Sequence, residues 1–187
     1  GTGHRDAQTM ATGQDLGHGR MHGGAMGSLE FLNARFAGSV VADTSVPTGE
    51  GNYQILQGML RAFKLPLERA TVGLIGCGNI GMHIIKQLRQ HKGVTILACE
   101  SREERRAELE AMGIRTWGPE RKQEFLALPM DALVVNAAGG TLDPAAIATC
   151  AANARLKVIC GSENLVMPDH RGVETLRAAH KVFAPTE

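Results

Sequence analysis

Aromatic residues make up only 4% of the 187-residue chain. That scarcity argues against a surface on which successive bases stack. Charge of one sign is also lacking: Lys and Arg number 20 against 19 Asp and Glu, a formal net charge of +1. Composition therefore supplies no field that would gather nucleic acid or an anionic membrane, and neither is an expected partner. No apolar run is long enough to span a bilayer, and no charged-then-apolar secretory segment opens the sequence. Cysteine occurs four times (Cys77, Cys99, Cys150, Cys160), widely spaced and with no C-x-x-C pair. This spacing speaks against a disulfide framework or a thiolate zinc site. It leads us to expect buried free thiols in a reducing, cytoplasmic setting.

What the chain does have is glycine in a telling place. Val72 to Ile75 is a short apolar run that enters Gly76-Cys77-Gly78-Asn79-Ile80-Gly81, a G-x-G-x-x-G pattern. In a dinucleotide site the first glycine permits the tight turn, the second lets a pyrophosphate approach the backbone, and the third lets the following helix pack on the strand. The N–H groups at the start of that helix would then face the phosphates. Three features of context are required, and all are present. A small, β-branched strand (70–75) precedes the turn. Ile80, His83, Ile84 and Leu88 follow at helical spacing, with Lys86, Arg89 and Gln90 on the other face. A second apolar strand, Val94 to Cys99, ends at Glu100, 24 residues after Gly76. A carboxylate there can accept the ribose hydroxyls of the adenosine half.

Taken in order, residues 1–28 are rich in Gly, His, Met, Thr and Gln without a sustained period and read as irregular. His18 and His22 have the spacing of two metal ligands on a helix, but the glycines around them disfavour a helix, and no metal is expected. Leu29–Phe36 reads as a short helix and Ser39–Ala42 as a short strand. Thr44–Asn52 reads as a turn-rich loop that feeds a helix over Tyr53–Lys64, stopped by Pro66. From Arg69 onward strands alternate with helices: strands 70–76, 94–99, 114–117, 131–136, 157–160 and 181–184, and helices 79–91, 102–112, 121–127, 144–153 and 171–180. The charged helix at 102–112 needs no explanation beyond a solvated outer face. The alternation predicts an α/β fold, a Rossmann-type doubly wound parallel sheet in three layers. The expected division is an irregular segment or domain junction over 1–43 and a dinucleotide-binding domain over 44–187.

Ligands of such sheets lie at the carboxyl ends of the strands. After the fourth strand come Asn136-Ala137-Ala138-Gly139-Gly140, small enough to pass close to a nicotinamide ribose. After the fifth come Gly161-Ser162-Glu163-Asn164, where the Asn164 amide can pair with a carboxamide or hydroxyl, or simply cap a turn. The expected cofactor contacts are Thr48, Gly76, Gly78, Asn79, Ile80, Gly81, Glu100, Ser101, Arg102, Ala137, Ala138 and Asn164. Glu100 favours NAD, because a carboxylate repels a 2′-phosphate. Ser101, Arg102 and Arg105 follow it and leave NADP open.

Together these stretches resemble the nucleotide-binding domain of the Glu/Leu/Phe/Val amino acid dehydrogenase family, most of all leucine dehydrogenase. The resemblance rests on Pro47-Thr48-Gly49-Glu50-Gly51-Asn52-Tyr53 before a helix, on Gly76 to Gly81 with Asn79, and on Asp131 to Gly140. It continues through Cys160 to Asn164, Pro168 to Gly172 and Val182 to Pro185, and so covers roughly residues 44–185. It implies hydride transfer between an amino acid Cα and a nicotinamide, giving a 2-oxo acid and ammonia. It is also the basis for Thr48 as a contact at the entry to the domain.

The sequence departs from that family where catalysis is concerned. Met26 in Gly23-Gly24-Ala25-Met26-Gly27 stands where the resemblance would place a lysine, and a thioether cannot take up a proton. The family's substrate domain, with its catalytic lysines and aspartate, has no visible counterpart. Its closing Asn-Ala-Gly-Gly segment is likewise missing beyond Glu187, and the stretch between strands five and six is one residue short. No catalytic residue is assigned. His83 is expected to pack on its helix, and His170 to lie in a surface turn. The expectation is a cofactor domain that would act on a small amino acid or 2-oxo acid once a substrate domain is supplied. The alternatives are a stand-alone dinucleotide-binding module, a partner-completed subunit, or a different oxidoreductase drawing on Asp6, Asp15 or Asp43. Self-association through Met10, Met21, Met26 and Leu29 into a homo-oligomer is a further expectation.

Overall fold

The computed structural model describes residues 44–185. The helix at Leu29–Phe36, the strand at Ser39–Ala42, the His18/His22 pair, Met26 and the other methionines, and Asp6, Asp15 and Asp43 lie outside the described residues.

Six strands form one all-parallel sheet: β1 (Thr71–Ile75), β2 (Thr95–Cys99), β3 (Arg115–Trp117), β4 (Ala132–Val135), β5 (Val158–Gly161) and β6 (Val182–Phe183), in the order β3-β2-β1-β4-β5-β6. The doubly wound parallel sheet expected from the alternating pattern is what the chain adopts. The central strands β1, β4 and β5 are buried along their whole length. That is why they read as unbroken apolar runs instead of alternating ones.

The helices divide between the two faces. One face packs α1 (Ser45–Ala62), α2 (Asn79–Leu88) and α3 (Glu103–Ala111) through Leu56, Leu60, Ile84, Leu88 and Leu109 onto Val72, Leu74, Ala98 and Val134. The other packs α4 (Lys122–Leu126), α5 (Pro144–Ala152) and α6 (Arg171–Ala178) through Phe125, Leu126, Ile147, Cys150 and Leu176 onto Leu97, Leu133, Val135 and Ile159. Each fully buried Leu or Ile contributes about 2 kcal/mol relative to exposure. Only Leu109 is buried in α3, whose remaining faces are charged as expected.

The largest correction concerns Thr44–Asn52, expected as a loop. Helix α1 begins at Ser45 and runs through Pro47, Thr48, Gly49, Glu50, Gly51 and Asn52. Proline is tolerated there because first-turn N–H groups have no intrahelical acceptor. Gly49 is fixed by packing: a Cβ on it would stand 2.9 Å from the Cβ of His83. Helices α1 and α2 therefore approach closely, and Gln87 on α2 donates to Glu50 on α1 at 2.7 Å. His83 packs at this crossing, and His170 lies exposed before α6, each as expected. Elsewhere the elements fall short of their sequence patterns by one to three residues at one or both ends, except that β5 runs one residue further than expected, to Gly161.

Beneath the sheet, at its amino edge, Asp131 accepts hydrogen bonds from Thr71 N (2.7 Å), Arg155 Nε (2.9 Å) and Arg155 Nη2 (2.8 Å). This ties the start of β1 to the turn before β5.

Candidate dinucleotide site

Strand register sets the site. Ile75 pairs with both Cys99 and Val135, and Val135 pairs with Gly161. Gly76, Glu100, Asn136 and Ser162 thus leave the sheet side by side along one carboxyl edge. The β1/β4 boundary is where the winding direction changes, the place where open α/β sheets bind ligands.

The turn after β1 is dictated by close approach. Gly76 has φ +82°, and a Cβ on it would lie 2.7 Å from the carbonyl carbon and oxygen of Asn136. A Cβ on Gly81 would lie 2.5 Å from the Gly76 carbonyl oxygen. These two glycines serve the fold. Gly78 differs: its φ of −68° suits any residue, and among the described residues a Cβ there would meet only Arg102 Nη2, at 4.0 Å. It precedes α2 without a side-chain cap. Asn79 is exposed, and Ile80 packs on the core beneath.

Glu100 follows β2, and both of its carboxylate oxygens accept hydrogen bonds within the chain. It is 4% exposed. Its Oε2 accepts Cys77 N–H at 2.6 Å, and its Oε1 accepts Arg102 N–H at 2.9 Å, Arg102 Nε–H at 3.2 Å and Ser101 Oγ–H at 3.3 Å. Burial alone would raise its pKa. The amide bonds from Arg102 and Cys77 and the guanidinium outweigh that and hold it below its ordinary value. Arg102 is 53% exposed and bridges from Glu100 toward Gly78. Ser101 is exposed as well.

Across the switch point, Ala137, Ala138, Gly139 and Gly140 are exposed, the two glycines with φ of +124° and +68°. Two contacts absent from the sequence expectations hold this segment. Asn136 Oδ1 accepts Ser162 N–H and Oγ–H at 3.1 and 2.9 Å. Glu163, 3% exposed, reaches back to Ala137 and Thr141. No sequence signal marks a single glutamate in a turn as buried. Asn164 is half-buried, with its carbonyl oxygen 3.6 Å from the position of a Gly139 Cβ. Thr48 stands half-buried near the start of α1, one residue before the Gly49–His83 crossing.

All four cysteines are free and buried. Burial pushes the Cys77, Cys150 and Cys160 thiols up to about 12 and Cys99 up to about 11. They remain protonated and unreactive at neutral pH. Among the described residues no His, Cys, Asp or Glu cluster fits a metal ion, and no helix is long and apolar enough to cross a membrane.

An all-parallel sheet in this order, with a glycine turn opening a helix at the switch point, defines the nucleotide-binding domain of dehydrogenase-like oxidoreductases. Residues 76–183 match the family described as homoserine dehydrogenase, NAD binding domain, and the chain belongs to that family. A comparison with curated protein sequences finds no match. Among solved structures, L-tryptophan dehydrogenase from Nostoc punctiforme superposes with a TM-score of 0.70 at 17% identity, over 84% of this chain and 45% of that one. One component of the dipicolinate synthase of Bacillus halodurans gives 0.61 at 13% identity, over 76% and 45%. Glutamate dehydrogenase from Plasmodium falciparum gives 0.56 at 16% identity, over 80% and 38%. At these identities the likeness is one of fold, and the chain spans less than half the length of these proteins.

Proposed function

We propose that residues 44–187 form the cofactor domain of an amino acid dehydrogenase-like oxidoreductase. A nicotinamide dinucleotide lies along the edge formed by Gly76–Gly81, Glu100–Arg102, Ala137–Ala138 and Asn164, and Thr48 contributes from α1. The observation that carries this reading is Gly78. Among the described residues its glycine identity meets no packing need, since only Arg102 approaches the Cβ position, at 4.0 Å, and it fits the close approach of a pyrophosphate. The N–H groups opening α2 would hold the phosphates. The adenosine half would extend over Arg102, and the nicotinamide half over Ala137–Gly140. When bound, the cofactor supplies hydride chemistry, and the protein orients it.

The amino acid as hydride donor is supported by the ordered motifs that resemble leucine dehydrogenase. In this reading a substrate domain supplies the acid and base. NAD is the cofactor expected from a carboxylate at position 100. A second reading, NADP, is favoured by one observation: both Glu100 oxygens are already engaged within the chain, and the exposed Arg102 guanidinium lies across them. The buried thiols support a reducing, cytoplasmic setting.

Titration of the purified chain with NADH, following nicotinamide fluorescence, tests the reading. Saturable binding is expected, weakened at least about tenfold by Gly78→Val, or roughly 1.4 kcal/mol. Absence of binding at millimolar NADH and NADPH would contradict it.

A further inference from the structure

We infer that Glu163 is a positioning residue for the nicotinamide half of the cofactor, one that shapes the Ala137–Gly140 segment from below. The inference rests on the dinucleotide reading above. In a doubly wound sheet the two halves of the strand order serve the two halves of a dinucleotide. Here β1–β3 carry the glycine turn and Arg102, which leaves the turns after β4 and β5 for the nicotinamide side.

Those two turns are fastened together through one buried carboxylate. Glu163 Oε2 accepts Ala137 N–H at 3.0 Å and Thr141 Oγ1–H at 2.7 Å, and its Oε1 accepts Thr141 N–H at 2.9 Å. The bonds fall on the two ends of the exposed segment, so the carboxylate spans it like a brace. The chain reinforces the brace from the far side: Gly140 N–H donates to the Leu165 carbonyl and Leu142 N–H to the Val166 carbonyl, each at 2.9 Å. Leu165 adopts φ +49° and is 75% exposed, a backbone state that costs a leucine energy and is held by its surroundings.

The arrangement exceeds what turn formation needs. Gly139 and Gly140 already supply the positive φ angles of the turn. A carboxylate buried to 3% exposure is a costly group to place there. Charge-assisted bonds to backbone amides are stronger and more directional than neutral ones. A segment pinned at both ends by such bonds keeps its exposed backbone in one conformation before a ligand arrives, and that lowers the ordering cost of binding. The ligand class is a flat, polar heteroaromatic amide on a ribose, which can rest on small residues and hydrogen-bond the exposed backbone of Ala137–Gly140. Glu163 does not touch it and acts through the turn.

The test separates the two halves of the cofactor. In Glu163→Gln the side chain keeps one acceptor oxygen, and its NH2 faces the Ala137 and Thr141 donors. We expect NADH to bind about tenfold more weakly while ADP, which lacks the nicotinamide, binds within about twofold of wild type. The emission maximum of the bound NADH that remains should move toward that of free NADH. Thr141→Val, which removes one hydroxyl donor and retains the carboxylate, should weaken NADH about threefold and leave ADP unchanged, and it serves if Glu163→Gln does not fold. Equal losses for NADH and ADP, or no loss for either, would overturn the inference and leave the dinucleotide reading standing. Failure of the wild-type chain to bind either ligand would overturn both.

Discussion

The backbone N–H of Cys77 donates to Glu100 Oε2 across 2.6 Å, joining the glycine turn after β1 to the end of β2. The carboxylate expected on sequence grounds as a ribose ligand also serves, in the fold, as a strut of the turn itself. Its ionised form is the one stabilised, since its pKa lies below the usual 4.5 despite burial. Asp131, held by Arg155 and Thr71 N–H, likewise lies below its usual 3.8 against the opposing effect of burial. A group depressed on folding contributes stability above its unfolded pKa and loses it as pH falls through the folded value. The chain should therefore lose stability as pH drops below about 4.5, with no loss from these groups between there and neutrality. Urea denaturation midpoints across this range check the sign. Glu100→Gln should lower the neutral-pH stability by about 1–3 kcal/mol and flatten the acid slope.

Gly78 and Gly81 are equal members of the sequence motif and unequal in the structure. Gly81→Ala drives a Cβ to 2.5 Å from the Gly76 carbonyl and should destabilise the chain by about 1–3 kcal/mol. Gly78→Val adds a side chain where, among the described residues, only Arg102 approaches, and stability should stay within about 1 kcal/mol of wild type. Paired thermal or chemical melts of the two variants make the comparison.

Three helices end in the same way. After α1, Leu65 N–H donates to the Leu60 carbonyl with Lys64 at φ +57°. After α3, Ile114 N–H donates to Leu109 with Gly113 at φ +81°, and after α6, Lys181 N–H donates to Leu176 with His180 at φ +58°. This is the Schellman arrangement, which favours glycine at the left-handed position. Only the middle one has it. Lys64→Gly and His180→Gly should each stabilise by about 0.5–1 kcal/mol, and Gly113→Ala should cost about 1 kcal/mol although no described residue crowds its Cβ. Thermal midpoints should move by roughly 2–4 °C per kcal/mol.

The sheet was legible in the sequence because buried parallel strands read as short apolar runs and because Gly76, Gly78 and Gly81 stand between one such run and a helical pattern. What escaped was set at long range. Pro47, Gly49 and Gly51 carry turn chemistry locally, and α1 forms through them because Gly49 meets His83 on a helix more than 30 residues away in sequence. Glu100 signals a ribose ligand by position, and nothing local shows that the β1–β2 register also brings it onto Cys77. Glu163 looks like any solvated turn glutamate until the β4–β5 pairing buries it against Ala137 and Thr141.

The central claim is that a nicotinamide dinucleotide occupies the carboxyl edge of this sheet, and amide chemical-shift mapping of the 15N-labelled chain with NADH tests it most directly. The largest shifts are expected at Gly78, Asn79, Ile80 and Gly81, at Arg102, and at Ala137 to Gly140, with the Asp131–Arg155 amino edge silent. Shifts that spare the Gly76–Gly81 turn, or that cluster at the amino edge, would contradict it.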